Sequence, residues 1–92
     1  MKQRISILGA AESGIGAAIL AQKLGMEILV SDASAIAPKF KAILLENGIP
    51  FEENGHTLDN IVAADFVVKS PGIPENASIV NQIREQGIEI IS

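Results

Sequence analysis

Cysteine, tryptophan and tyrosine are all missing from the 92 residues, and phenylalanine occurs only three times. Without cysteine there can be no disulfide, no thiolate metal site and no cysteine nucleophile. With Phe40, Phe51 and Phe66 as the only aromatics, the interior has to be built from Ile, Val, Leu and Ala. That palette suits a parallel sheet covered by helices on both faces. Clustered positive charge is lacking too: the net charge is −4, which argues against nucleic acid as a bulk partner. It leaves room for one bound nucleotide, which needs only a local anion site. No apolar run approaches the length of a membrane span. Met1-Lys2-Gln3-Arg4 leads directly into a short strand and a glycine loop, unlike a signal peptide with its longer apolar stretch. The chain is therefore expected to be soluble and cytoplasmic, with no membrane partner.

What is present is a regular alternation of short β-rich runs and helical windows. Strands are predicted at residues 5–8, 27–30, 49–52, 66–68 and 88–91. A first helix is expected over 15–24, with Ile15, Ile19 and Leu20 on its apolar side and Gly25 as its stop. Pro38 opens a second helix, which Asn47-Gly48 closes. Thr57 caps a brief helical turn through Ile61, and Asn76 or Ser78 starts a last helix that ends at Gly87. Repeated strand–helix–strand units imply right-handed crossovers and a parallel sheet. The prediction is a three-layer Rossmann-like α/β domain with five parallel strands ordered 3-2-1-4-5. It spans residues 1–92 as one domain, and because it stops at a core strand without a tail it is expected to be a piece of a longer protein.

The chemistry concentrates in three segments. Gly9-Ala10-Ala11-Glu12-Ser13-Gly14 follows the first strand and opens a helix, the position where nucleotide folds place phosphate against free N–H groups and the helix dipole. Gly9 allows the tight turn, Gly14 allows close helix–strand packing, and Ser13 can cap the helix or donate to a phosphate oxygen. The loop matches G-x-G-x-x-G only at its first and third glycines, because Ala11 fills the middle position, and no lysine follows as in a P-loop. A second reading of these glycines is simply a tight βα turn. Asp32 ends the second strand about twenty residues on, where an acid can hold a ribose hydroxyl or accept an N–H from a base; it could instead cap its own turn. Ser70-Pro71-Gly72 follows the fourth strand, which neighbours the first at the switch point of this strand order, so both loops border one crevice. His56 has no metal-ligand companions at suitable spacing and is expected to be solvated or to pack in its turn. Lys69 is expected to reach water, and Glu12, Glu46, Glu52, Glu53, Glu85 and Glu89 to lie on solvated faces.

The glycine loop, Asp32 and the run Val67-Val68-Lys69-Ser70-Pro71-Gly72-Ile73-Pro74 together resemble the D-glutamate-adding Mur ligases, and the resemblance covers the whole chain as the first domain of such an enzyme. It implies that this domain binds the UDP part of UDP-N-acetylmuramoyl-L-alanine. By that resemblance the backbone of Glu12 and Ser13, beside Gly9 and Gly14, meets the diphosphate; Asp32 and Ala33 meet the uracil; Ser70, Pro71 and Gly72 lie against the uridine from the other side. Two positions depart from the family pattern: Ala11 replaces a glycine, and Ala33 stands where a hydroxyl residue is common. The resemblance further implies an ATP-binding central domain in the same full-length chain, using ATP and magnesium, whereas these residues hold no P-loop, no metal ligands, no catalytic residue and no cofactor of their own. Three other readings stay open: an NAD(P)-binding domain of an oxidoreductase or regulatory protein, a Mur-type ligase of another specificity, and a ligand-free interaction domain.

Overall fold

The computed structural model describes residues 2–92; Met1, part of the short cationic start, lies outside the described residues. Five strands and four helices alternate along the chain: β1 Arg4–Leu8, α1 Glu12–Lys23, β2 Glu27–Ser31, α2 Pro38–Glu46, β3 Phe51–Glu52, α3 Leu58–Ile61, β4 Phe66–Lys69, α4 Ser78–Glu85 and β5 Ile90–Ile91. All four pairings are parallel, and the order is β3-β2-β1-β4-β5, as predicted.

The pleat of β1 divides the core in two. Ile5 and Ile7 point to one face, where they meet Ile15, Ala18 and Ala21 of α1 and Leu44 of α2. Leu8 points to the other, against Ile61 of α3 and Val80 and Ile83 of α4. Ser6 shares that second face and is fully buried, so its hydroxyl needs a partner; it donates to the Ile61 carbonyl at 2.9 Å, tying α3 to the central strand. Fully buried side chains such as Ile7 and Leu8 each contribute on the order of 2 kcal/mol of hydrophobic stabilisation.

Four expectations change. Helix α1 begins at Glu12, three residues before the apolar pattern starts, because its packing face is made of small residues: Gly14, Ala18 and Ala21 are buried beside Ile15 while Leu20 is 59% exposed. The residue at its N-cap is Ala11, and Ser13 lies inside the first turn, so Ser13 does not cap the helix. Thr57 does hold the N-cap position of α3, yet its side chain makes no capping bond. The outer strands β3 and β5 are two residues each. Pro50 has no N–H to donate to a ladder, and the N–H groups of Ile49 and Ile88 turn back to the carbonyls of Leu44 and Ile83 at the preceding helix ends.

Candidate functional site

Leu8 of β1 stands opposite Ser31 of β2 and Lys69 of β4, so the three strands end in line and their following loops open at one edge of the sheet. Each loop is fastened to its neighbours. The N–H of Gly9 donates to the Ser31 carbonyl at 2.9 Å, and the N–H of Ser70 donates to the Leu8 carbonyl at 3.0 Å. Gly9 has a φ of 98°, and a Cβ there would lie 2.8 Å from Cβ of Ser70, so glycine serves both the turn and the close approach of the β4 loop. Gly14 is buried so tightly that a Cβ would sit 1.9 Å from the Gly9 carbonyl oxygen, which is the close helix–strand packing read from the sequence.

Asp32 links two of the loops. One carboxylate oxygen accepts the Ala10 N–H at 2.8 Å and the other accepts the Ser34 N–H at 2.9 Å. The second bond is the turn-capping role considered for this residue, while the first reaches across to the glycine loop. Each oxygen keeps a further lone pair for a ligand donor.

Between the loops lies an open cavity of about 630 Å³. Of the candidate residues, Gly9, Asp32, Ala33, Ser70 and Gly72 line it, whereas Glu12, Ser13, Gly14 and Pro71 do not. Glu12 and Ser13 are exposed in the first turn of α1, and the Ser13 hydroxyl is 3.4 Å from that of Ser70. Ala11 offers no side-chain acceptor, so the first-turn N–H groups of α1 receive no cap from a side chain; such groups attract anions. Ile73, which belongs to the Val67–Pro74 run but was given no site role, adds apolar wall together with Ala77 and Ile79, and His56 and Gln82 add polar groups. A second cavity, about 490 Å³, opens at the opposite, amino-terminal ends of the strands beside Arg4 and Glu27. Ligands of open parallel sheets bind at the carboxyl ends, and the first cavity is at that end.

Lys69 does not reach water. It follows Val67 by two residues, so the pleat turns it to the same buried face, and it is only 3% exposed. Its ammonium donates to the Ile73 carbonyl at 2.7 Å and lies 3.4 Å from both the Ser70 carbonyl and a Glu75 carboxylate oxygen. One cation thereby holds both ends of the Ser70–Ile73 turn. Glu75 in turn accepts from Arg84 of α4 at 2.6 Å.

Glu52 and Glu53, expected on solvated faces, are bound within the fold. Glu53 accepts the Ile36 N–H at 2.9 Å and pairs with Lys41. Glu52 accepts the Ser31 hydroxyl at 2.6 Å and the Thr57 N–H at 2.9 Å. Ser31 Oγ also lies 2.6 Å from Nδ1 of His56, which is half-buried rather than solvated. Burial alone would raise the Glu52 carboxyl; the bonds from Ser31 and Thr57 and the nearby His56 outweigh it and hold it below the usual 4.5. Burial pushes His56 below its usual 6.5, although Glu52 and Asp32 pull the other way.

His56 binds its proton less readily when folded, so the unfolded chain gains protons first as pH falls through 6.5, and stability drops. Below 4.5 the lowered carboxyls of Glu52, Glu53 and Glu75 continue the loss in the same direction. Urea midpoints measured from neutral pH downward are expected to fall first in the histidine range and again in the carboxylate range. A midpoint that stays level through the histidine range would show that His56 is not held as described.

The strand order and a crevice at the switch point define a Rossmann-like α/β domain of the doubly wound class. Residues 3–92 match the family model described as "Mur ligase MurD-like, N-terminal domain". The chain belongs to that family. It is 53% identical over 90 residues to "UDP-N-acetylmuramoylalanine--D-glutamate ligase" of Bacteroides fragilis, covering 98% of this chain and 20% of the relative. A ligase of the same name from Cytophaga hutchinsonii is 49% identical over 92 residues, covering all of this chain and again 20% of the relative. This chain therefore spans one fifth of the length of these curated relatives. Among solved structures, the UDP-N-acetylmuramate:L-alanyl-gamma-D-glutamyl-meso-diaminopimelate ligase from Neisseria meningitides superposes with a TM-score of 0.84 at 25% identity, over all of this chain and 29% of that one. Among the described residues, no helix is long and apolar enough to cross a membrane, and no group of three or more His, Asp or Glu side chains could hold a metal ion.

Proposed function

We propose that this chain is the UDP-binding module of a cytoplasmic, ATP-dependent ligase that adds D-glutamate to UDP-N-acetylmuramoyl-L-alanine in peptidoglycan synthesis. The observation that carries the reading is the convergence of three fastened loops on one cavity, beside a helix N-terminus that no side chain caps. The diphosphate would rest on the N–H groups of Glu12 and Ser13, approached over Gly9 and Gly14. The uracil would lie between Asp32 and Ala33 on one wall and Ser70, Pro71 and Gly72 on the other. The family membership and the names of the relatives support the substrate. In this reading residues 1–92 tether the substrate, and the phosphorylation of the carboxylate by ATP with magnesium, and the attack of the D-glutamate amine, belong to an ATP-binding central domain and other parts of a longer chain.

An NAD(P) site is the competing reading. The loop works against it, since Ala11 stands where a dinucleotide pyrophosphate needs glycine. Thermal shift with UDP-N-acetylmuramoyl-L-alanine and with NADH separates the two: stabilisation by the first and not the second is expected, and the reverse would overturn the proposal.

Gly72 supplies a second test. A Cβ there would meet nothing within 4 Å and the residue is exposed, so leucine fits without strain. Gly72→Leu is expected to fill space against the base and weaken binding of the UDP substrate by about tenfold or more, close to 1.4 kcal/mol. Stability should stay within about 0.5 kcal/mol of the parent, as for surface substitutions generally. Titration calorimetry and urea denaturation of the variant check both halves; undiminished affinity would remove Gly72 from the site.

A further inference from the structure

His56 sits on the wall of the cavity, and the motif reading gave it no role. Its surroundings determine which of its nitrogens carries a proton. The Ser31 hydroxyl has one hydrogen and two close partners, the Glu52 carboxylate and His56 Nδ1, each at 2.6 Å. Glu52 is ionised at neutral pH and has no hydrogen to give, so Ser31 must donate to Glu52. The Ser31 oxygen is then left to accept, and the hydrogen between Ser31 and His56 must come from Nδ1. A neutral imidazole protonated on Nδ1 has a bare Nε2. That atom has no protein partner among the described residues and is not sealed from solvent either, since no buried side-chain nitrogen or oxygen is left unpaired.

We propose that His56 is a specificity residue for uridine: its bare Nε2 accepts a hydrogen bond from a donor on the nucleoside, either N3–H of the uracil or a ribose hydroxyl. The inference rests on the UDP reading given above. The charged and titratable groups around the ring are Glu52 of β3 and Asp32 at the end of β2, both acceptors when ionised. An imidazole nitrogen beside them extends an acceptor-lined patch, and such a patch selects ligands that present N–H or O–H. The Glu52–Ser31–His56 chain fixes the tautomer that makes Nε2 an acceptor, so Ser31 and Glu52 act as positioning residues. Protonation would place a hydrogen on Nε2 and abolish acceptance.

His56 is the only histidine of the chain, so a ¹⁵N spectrum of the imidazole reads its tautomer without ambiguity. The Nδ1–H form is expected at neutral pH, and the Nε2–H form would overturn the proposal. Binding is tested on the 92-residue chain with UDP-N-acetylmuramoyl-L-alanine, whose diphosphate is a diester and does not titrate in the histidine range. Affinity is expected to fall as pH drops through the His56 titration. His56→Asn keeps an amide near Nδ1 for Ser31 but loses the acceptor, and should bind about fivefold to tenfold more weakly, with no such pH dependence. His56→Gln places its amide near Nε2 and should recover part of the loss. UDP carrying a 3-methyl uracil, 2′-deoxy-UDP and 3′-deoxy-UDP identify the donor, because His56→Asn should cost nothing further with the analogue that lacks it. Unchanged affinity in His56→Asn, or tighter binding in acid through an imidazolium–diphosphate pair, would overturn the role of His56 while leaving the UDP site standing. A parent chain that binds no uridine compound would remove both.

Discussion

Gly14→Ala is expected to destabilise the chain by about 3 kcal/mol or more, beyond the usual range for overpacking a core. The added methyl would sit 1.9 Å from the Gly9 carbonyl oxygen and 2.9 Å from its carbon. Those atoms are backbone, so no side-chain rotation relieves the clash; either α1 lifts from β1 or the glycine loop opens. Lifting α1 would also part Ile15, Ala18 and Ala21 from Ile5 and Ile7. For a domain of this size such a loss is a large share of a total stability of roughly 5–15 kcal/mol. Gly16 serves as the control, since it lies in the same helix with nothing within 4 Å of a Cβ. Gly16→Ala should be neutral or slightly stabilising, as alanine is the better helix former. Urea denaturation of both variants decides the matter; equal midpoints would show that the packing at Gly14 is looser than the structure has it.

Asp32→Ala is expected to reduce both stability and ligand binding. The Ala10 N–H that donates to Asp32 belongs to a residue only 2% exposed, so removing the carboxylate leaves a buried donor unpaired. That costs on the order of 2 kcal/mol. The Ser34 N–H is in an exposed residue and turns to water at little cost. Binding of the UDP substrate should fall by about tenfold or more, corresponding to a lost hydrogen bond to a charged group. Asp32→Asn retains one carbonyl oxygen and can keep the bond to Ala10, so it should restore most of the stability and only part of the affinity. An Asp32→Ala variant as stable as the parent would mean that the glycine loop is held by other contacts.

The architecture was legible because it rests on local signals: aliphatic runs of strand length, glycines after helices and short connections fix a βα alternation, and chain topology rules reduce it to one parallel order. The meeting of the first loop, Asp32 and the Ser70–Gly72 turn at one edge of the sheet was legible for the same reason, since strand order alone carries them there. The start of α1 was not, because a small-residue face of Gly14, Ala18 and Ala21 gives no apolar period, and the period of larger residues put Leu20 inward when it is exposed. The burial of Lys69 was available in principle: strand parity with Val67 assigns it to the covered face, and the general habit of lysine was the weaker guide. The Glu52–Ser31–His56 chain joins residues 21 and 25 apart in sequence. No spacing rule reaches across two strands and a turn to find it, because it depends on β2 lying beside β3 in one particular register.

The proposed function places uridine diphosphate where the three loops meet. The most direct test is titration of the ¹⁵N-labelled chain with UDP, followed amide by amide. Shifts are expected to concentrate from Gly9 to Gly14, at Asp32 and Ala33, and from Ser70 to Gly72, skipping Pro71, with NADH producing weaker effects. Shifts concentrated instead at the opposite end of the strands, around Arg4 and Glu27, or tighter binding of NADH than of UDP, would contradict it.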